Sequence, residues 1–409
     1  MDARTTWPAL LAALIRGDSL SSDESEWAMN EIMDGVATPS QIAGFGVALR
    51  IKGVSVAEMT GLARSMLAHA TPIIVPGQLT DLVGTGGDQA HTVNISTMGT
   101  IVAAAAGARM IKHGNRAASS ACGAADVLEA LGVVIDLPPA ATAQLAEEVG
   151  VAFLFAPLYH PALRYAGPTR SELGVPTVFN FLGPVANPAR PTAQAVGVFD
   201  PRMGEIIAGV LAGRGCSALV FRGEDGLDEL TTTGPSTMWV VHDGQVTQTA
   251  FHPSSLGLPP AAVADLRGGD AARNAEVARA VLGGEQGPVR DIVLLNAAAA
   301  LAVTAGVAGP DAVVPALADG YARAAEAIDS GAASALLGRW VEVSRRLAPK
   351  LPNRLTRNAR NLRGSWVAFS GAVAAGQDLS PRAGHCPGER RGRSPALVTA
   401  ATAARRRRG

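Results

Sequence analysis

Over the first 75 residues the apolar positions recur at helical spacing, and no stretch alternates as a strand would. An apolar segment runs from Trp7 to Ile15, and three helix starts follow it: Ser21-x-x-Glu24, Thr38-Pro39-Ser40-Gln41 and Ser55-x-x-Glu58. In each, a hydroxyl accepts the amide proton three residues on, and the side chain there reaches back to the amide of the capping residue. Pro39 takes the first helical position, where its missing N–H costs nothing. Gly35 and Gly53 stand where the chain has to leave a helix. The pattern predicts a small all-helical domain over residues 1–75.

From about residue 78 short apolar runs alternate with helical periodicity. Asp81 to Val83 reads as a strand ending in a glycine loop, 97–107 as a buried helix, and Ala108 to Ile111 as a strand entering a loop at Lys112. Ala124 to Leu131 reads as a helix, Val133 to Leu137 as a strand and Ala140 to Val149 as a helix. Val151 to Phe155 is a strand without charge, as expected where both sheet faces are covered. Ala195 to Phe199 and Ala218 to Phe221 are further strands. Met238 to Val241 and Gln245 to Ala250 flank Asp243-Gly244, a hairpin signal. Helices then run to about Leu347. The expected fold class is α/β: the helical N-terminal domain, then a larger domain over 78–348 with a mainly parallel central sheet. The pattern fails after Lys350, and residues 351–409 read as a disordered basic tail.

Composition narrows this further. The 409 residues are 48% hydrophobic and 17% charged, with 4% aromatics, which favours close-packed helices over a β-sandwich. The formal net charge of zero hides an asymmetry. Residues 351–409 hold 12 arginines and 2 acids; taken from 35 basic and 35 acidic residues in the whole chain, they leave 23 and 33 in residues 1–350. An acidic body opposes nucleic-acid binding. Three scattered cysteines, Cys122, Cys216 and Cys386, argue against a disulfide framework. The N-terminus lacks the basic and apolar regions of a secretory signal, and the alanine-rich runs near 101–108 and 297–305 are too short to span a bilayer. A cytoplasmic protein is the expectation.

Candidate chemistry gathers at strand ends. Gly84-Thr85-Gly86-Gly87-Asp88 lets backbone N–H groups turn toward an anion, although a tight turn would look the same. It lacks the Lys-Ser/Thr ending of a P-loop. Asn94-Ile95-Ser96-Thr97 opens an apolar helix; its hydroxyls suit a cap, and the helix start suits phosphate. Lys112-His113-Gly114-Asn115-Arg116 with Ser119-Ser120 puts two cations, an amide and two hydroxyls within nine residues. Its cations suit phosphate oxygens, and Asn115 suits a small polar substrate. Asp228-Glu229 is either a pair of exposed acids or, with Ser96, a source of oxygen ligands for Mg²⁺. Arg170 suits a carboxylate or a salt bridge. No Ser-His-Asp set and no H-E-x-x-H motif is present. Together the motifs describe a site for a polyphosphate ester and a divalent metal.

The ordered set Gly84–Asp88, Asn94–Thr97, Lys112–Ser120, Gly123–Gly132, Gly167–Pro188 and Gly226–Gly234 resembles the anthranilate phosphoribosyltransferases of tryptophan biosynthesis. The resemblance spans roughly residues 5–348. It implies a homodimer in which part of residues 160–190 packs back onto the helical domain, bringing Arg170 across a cleft from Asn115. It implies transfer of the phosphoribosyl group of 5-phosphoribosyl diphosphate (PRPP) to the amine of anthranilate, with Mg²⁺. The PRPP site it implies comprises Gly84, Gly87, Asp88, Thr92, Asn94, Ile95, Ser96 and Thr97. It continues with Lys112, His113, Gly114, Asn115, Arg116, Ser119, Ser120 and Ala124. Anthranilate would meet Gly84, Asn115, Arg170, His113 and Gly183, and Mg²⁺ would meet Ser96, Asp228 and Glu229. Two positions depart from the family pattern: Ala124 stands in place of a common serine, and Val185-Ala186 in place of Leu-Thr. A pyrimidine nucleoside phosphorylase shares the implied architecture, but its own phosphate and base signatures are not found. A silent, nucleic-acid-binding relative would draw on the basic tail.

Overall fold

Helix α1 (Trp7–Ile15) is followed by α2 (Ser22–Met33), α3 (Pro39–Lys52) and α4 (Val56–Ala68). All three capping boxes form. Glu58 does more than its box requires. It accepts from the Ser55 and Leu20 amides at 2.7 and 2.9 Å and from Lys52 Nζ at 2.9 Å while fully buried. It thus ties the start of α4 to the turn before α2. Each cap contributes about 1 kcal/mol. A Cβ at Gly61 would stand 2.0 Å from the Ser22 carbonyl oxygen, so α2 and α4 approach closer than any side chain would allow.

The computed structural model describes residues 5–117 and 121–349. The tail expected to be disordered lies outside them, as do Ser119 and Ser120. After the helices come β1 (Thr80–Gly84), α5 (Ile95–Ala105), β2 (Met110–Gly114), α6 (Ala124–Leu131), α7 (Pro139–Val149), β3 (Val151–Phe155), α8 (Ala156–Tyr159) and α9 (Gly167–Leu173). The chain continues through β4 (Ala193–Gly197), α10 (Met203–Gly213), β5 (Ser217–Gly223), β6 (Ser236–His242) and β7 (Gln245–Phe251). It closes with α11 (Ala271–Leu282), α12 (Pro288–Ala305), α13 (Val313–Asp329) and α14 (Ala332–Leu347). The sheet order is β3-β2-β1-β4-β5-β6-β7, with the first five strands parallel and β6 and β7 added as the antiparallel hairpin. Asp243 and Gly244 make its turn with φ of 46° and 73°.

The sheet separates two apolar cores. Leu82, Ala195, Leu219 and Val240 face a core filled by α5, α12 and their neighbours. Val83, Val196, Val220 and Val241 face the other, shared with α1–α4 and α10. Residues of opposite parity in one strand thus serve opposite cores, the period of two that a pleated strand imposes. Ala166, Val178, Phe179, Phe181 and Leu182 are buried in the same core as α1–α4.

Three expectations change. Val133 to Leu137 is not a strand: β3 ends the sheet on that side and leaves no ladder for it, although its apolar residues are buried in alternation. Its Val134 amide donates instead to Ser344 Oγ at 3.1 Å. Strand β2 runs on through Lys112 and His113, so both lie within the sheet and not in a loop. The alanine run at 297–305 belongs to a helix that starts at Pro288, and α12 is the one helix among the described residues long and apolar enough to cross a membrane. It lies instead in the core, with Ile292 to Val303 buried.

Candidate active site

Strand β1 stands where the winding of the sheet reverses. The chain leaves it through α5 to β2 on one side and returns later to β4 on the other, an arrangement that opens a crevice beyond the strand ends. Gly84 and Gly197 are register partners at the ends of β1 and β4. A Cβ on Gly84 would lie 2.2 Å from Asp228 Oδ2, and one on Gly197 1.7 Å from the Asp228 carbonyl oxygen. The loop carrying Asp228 therefore lies directly across both strand ends, and glycine beneath it is what gives it room.

The glycine loop folds over the same carboxylate. Gly86 donates its N–H to Asp228 Oδ2 at 2.6 Å. Gly86 and Gly87 take φ of 66° and 94°, and Gln89 and His91 take 58° and 52°, strained for non-glycine residues by of order 1 kcal/mol each. A cavity of about 370 Å³ opens there. Gly84, Gly87, Asp88, Thr92, Asn94, Ile95 and Ser96 line it from β1 and the following loop. Lys112, His113, Gly114, Asn115, Arg116 and Ala124 line it from β2 and the start of α6, and Arg170, Gly183, Asp228 and Glu229 line the rest. Thr97 does not line the cavity; it is buried in α5.

Several of these side chains are used differently from their sequence reading. Lys112 is buried, and its Nζ donates to the Leu82 carbonyl at 2.6 Å and to Ser96 Oγ at 3.1 Å. Ser96 is thus the lysine's acceptor and not a helix cap. Asn94 occupies the cap position of α5 without a capping bond. Its Nδ2 donates to the Cys122 carbonyl at 3.1 Å, and its Oδ1 accepts from Asn274 Nδ2 at 2.9 Å, so the amide fastens three loops together. Asn115 Oδ1 accepts the amide of Arg116 at 2.7 Å. Arg116 itself pairs with Asp126 and Glu129 at 2.9 and 2.5 Å and lies over Phe155.

The electrostatics divide the cavity. Burial pushes the Asp228 carboxyl up to about 7, reinforced by the charge of Asp88, and it pushes Glu229 well above its ordinary value, reinforced by Asp228. Burial lowers the Lys112 ammonium, and Asp81, Glu229 and Asp228 oppose the shift. Asp81 is itself pushed up to about 6 by burial, against Lys112 and the 2.8 Å bond from Asn187 Nδ2. This end holds more carboxylates than cations. Among the described residues no three His, Cys or acidic side chains form a complete metal cage. A cation bound here would take Asp228 and Glu229 as ligands and complete its shell with water and substrate oxygens, as Mg²⁺ commonly does.

At the far side Arg170 lines the cavity over the Phe179 ring, 5.9 Å from its centroid. Burial lowers its guanidinium below the ordinary value, and no ion-pair partner faces it among the described residues. His113 Nδ1 donates to the Gly183 carbonyl at 3.1 Å, and burial, with His160 at 5.1 Å between ring centroids, pushes it down to about 3. It stays neutral at working pH. Asp81 and Asp126 were missed in the sequence. Asp126 accepts the amides of Ala117 and Gly123 at 3.0 and 2.9 Å and clamps the loop before α6. Its place three residues after Gly123 was a usable signal. Asp81, an acid inside an otherwise apolar strand, was another.

A helical bundle joined to an α/β sheet, with an acidic pair and an arginine without an acidic partner among the described residues across one crevice, fits a group-transfer protein. Two family descriptions match the chain: "Glycosyl transferase family, helical bundle domain" over residues 8–70 and "Glycosyl transferase family, a/b domain" over 76–334. An anthranilate phosphoribosyltransferase of Thermobifida fusca is 62% identical over 346 residues, covering 85% of this chain and 99% of that protein. The crystal structure of the Thermus thermophilus enzyme of that name superposes with a TM-score of 0.76 at 41% identity, covering 82% of this chain and 99% of that one. The Saccharomyces cerevisiae enzyme in complex with PRPP and Mg gives 0.75 at 26% identity, covering 84% and 99%. The chain belongs to the anthranilate phosphoribosyltransferase family.

Proposed function

We propose that this cavity transfers the 5-phosphoribosyl group of PRPP to the amine of anthranilate, giving N-(5-phosphoribosyl)anthranilate and diphosphate, a step of L-tryptophan biosynthesis. The observation that carries the reading is the pairing of opposite chemistries in one cavity. Asp228 and Glu229 lack sufficient countercharge at one end, and Arg170 lacks a carboxylate at the other. The acidic end suits a cation carrying a polyphosphate, and Arg170 suits the carboxylate of an aromatic acid.

In this reading Gly87 and the Asp88 loop present backbone N–H groups to the diphosphate, and Lys112 lies beneath it, bonded to Ser96. Asp228 and Glu229 hold Mg²⁺, with Ser96 beside them; the ion neutralises charge on the departing diphosphate. Arg170 holds the anthranilate carboxylate, and Gly183 and neutral His113 form the wall beside it. The anthranilate amine attacks the anomeric carbon as the bond to diphosphate breaks, through an oxocarbenium-like state. The amine's proton passes to solvent or diphosphate. His113 is not its acceptor, because its remaining basicity lies near pH 3. Ser119, Ser120 and Arg116 would complete the phosphate side; for Arg116 this means leaving Asp126 and Glu129.

The protein is further read as a cytoplasmic homodimer. Ile15 and Ile51, on the mutually packed α1 and α3, are 79% and 78% exposed and suit a subunit contact. Light scattering of the purified chain tests the dimer. The activity is tested by the loss of anthranilate fluorescence on mixing with PRPP and Mg²⁺. A decay that requires PRPP and stops with chelator is expected; none, from folded protein that still binds PRPP, would assign the cavity another acceptor.

A further inference from the structure

A second cavity, of about 390 Å³, lies at the opposite, N-terminal edge of the sheet, where α4 meets the entries to β4 and β5. Arg64, Arg190 and Arg214 line it together with Asn187, Thr192 and Gln194, and no carboxylate is in its wall. The nearest acids to Arg64 are Asp23 and Glu26, at 3.6 and 3.7 Å and outside the lining. Arg190 has no ion pair among the described residues. It is held at φ 50°, a conformation that favours glycine, by its amide bond to the Asn187 carbonyl at 3.0 Å. Arg214 donates one Nη to the Val185 carbonyl at 2.6 Å, and both other arginines act on its guanidinium. Three like charges around one cavity repel one another, and an anion among them would relieve that repulsion.

We propose that this cavity is a second ligand site, for a small phosphate-bearing anion, separate from the catalytic crevice. Its size admits an organic phosphate as well as the inorganic ion. Its polar wall is also bonded to the catalytic elements. Asn187 Nδ2 donates to Asp81 Oδ2 and to the Ile111 carbonyl at 2.8 and 2.9 Å, and Asp81 in turn stands against Lys112. Gln194 Nε2 donates to the Pro184 carbonyl at 2.9 Å, next to the Gly183 carbonyl that orients His113. An anion that draws Arg214 away from Val185 therefore acts on the Gly183–Val185 turn, which forms the anthranilate wall in the reading above.

The test is calorimetric titration of the full chain with inorganic phosphate and, in parallel, ribose 5-phosphate. PRPP, anthranilate and metal are left out, so that no other phosphate ester competes for the site. The comparison is the double variant Arg64→Ala, Arg190→Gly, in which glycine accepts the backbone conformation without strain. Binding of at least one of the two anions in the wild type, weakened tenfold or more in the variant, is expected, while a separate titration with PRPP and Mg²⁺ shows the catalytic cavity intact in both proteins. The ratio of the two affinities tells whether the sugar is recognised or the phosphate alone. Equal binding in both proteins, or no binding in either, would overturn the site. These are binding measurements, so their failure leaves the proposed reaction untouched, and failure of that reaction leaves them untouched. The coupling is read from the anthranilate KM, which phosphate shifts in the wild type and not in the variant. An equal shift in both would mean that phosphate acts only by competing in the catalytic cavity.

Discussion

Gly84→Ala isolates the fit between β1 and the acidic loop. The added Cβ would stand 2.2 Å from Asp228 Oδ2, 2.9 Å from its Cγ and 3.1 Å from its carbonyl oxygen. The side chain has to move, and it then loses the 2.6 Å bond from the Gly86 amide. A hydrogen bond to a charged group contributes about 1.5–3 kcal/mol. If that loss falls on the cation-holding geometry, about 2 kcal/mol corresponds to roughly a 30-fold fall in kcat/KM. Overpacking adds a stability loss of about 1–3 kcal/mol. The assay is anthranilate fluorescence decay over a Mg²⁺ series, with thermal unfolding of the same samples. A higher Mg²⁺ requirement together with the slower rate is expected. Unchanged kinetics with the metal requirement of the wild type would refute the reasoning, because it would mean that the position of Asp228 is irrelevant to turnover.

Replacing Asp228 and Glu229 together by alanine should reduce Mg²⁺-dependent turnover at least a hundredfold, checked by single-turnover kinetics. Wild-type rates would remove them from the mechanism. Arg170→Ala should raise the anthranilate KM roughly 10- to 100-fold, the size of one charge-assisted bond, and leave the PRPP KM and the melting temperature nearly unchanged, since the guanidinium has no acidic partner to orphan. Without metal or substrate, Asp228 binds its proton more tightly folded than unfolded, so its effect on stability is greatest below about pH 4 and declines as pH rises to about 7. Urea titrations from pH 4 to 8 should show a component of this sign that Asp228→Asn removes, and Mg²⁺ should bind more tightly as pH rises through the same range. Deleting residues 351–409 should leave turnover intact, since the 62% identical relative covers 85% of this chain at 99% of its own length; a large loss of activity would give the tail a role.

Features decided by a few neighbouring residues were legible in the chain itself. The three capping boxes, the Asp243-Gly244 hairpin and the limits of α1 and β3 rest on bonds between residues a few positions apart, or on a short run of one character. The motifs and the resemblance they carry named about half of the residues that line the catalytic cavity, chiefly those around the ends of β1 and β2 and the start of α5. The fate of individual polar groups was less accessible. Ser96 reads as a cap and serves Lys112, and Arg116 reads as a phosphate ligand and is paired with Asp126 and Glu129.

What the sequence determined alone is therefore the succession of elements and the chemical inventory of the crevice. The tertiary structure decided which strand finds a partner and which groups lose water. Val133 to Leu137 has a strand's alternation, yet the sheet ends at β3. Asp81 and Lys112 are 31 positions apart, and only the parallel pairing of β1 and β2 buries them together. Arg64, Arg190 and Arg214 come from three separate segments and form one cavity only when α4 packs at the entries to β4 and β5. Hydrogen bonds between near neighbours can be read along the chain, whereas burial and charge coupling depend on distances that exist only once it has folded.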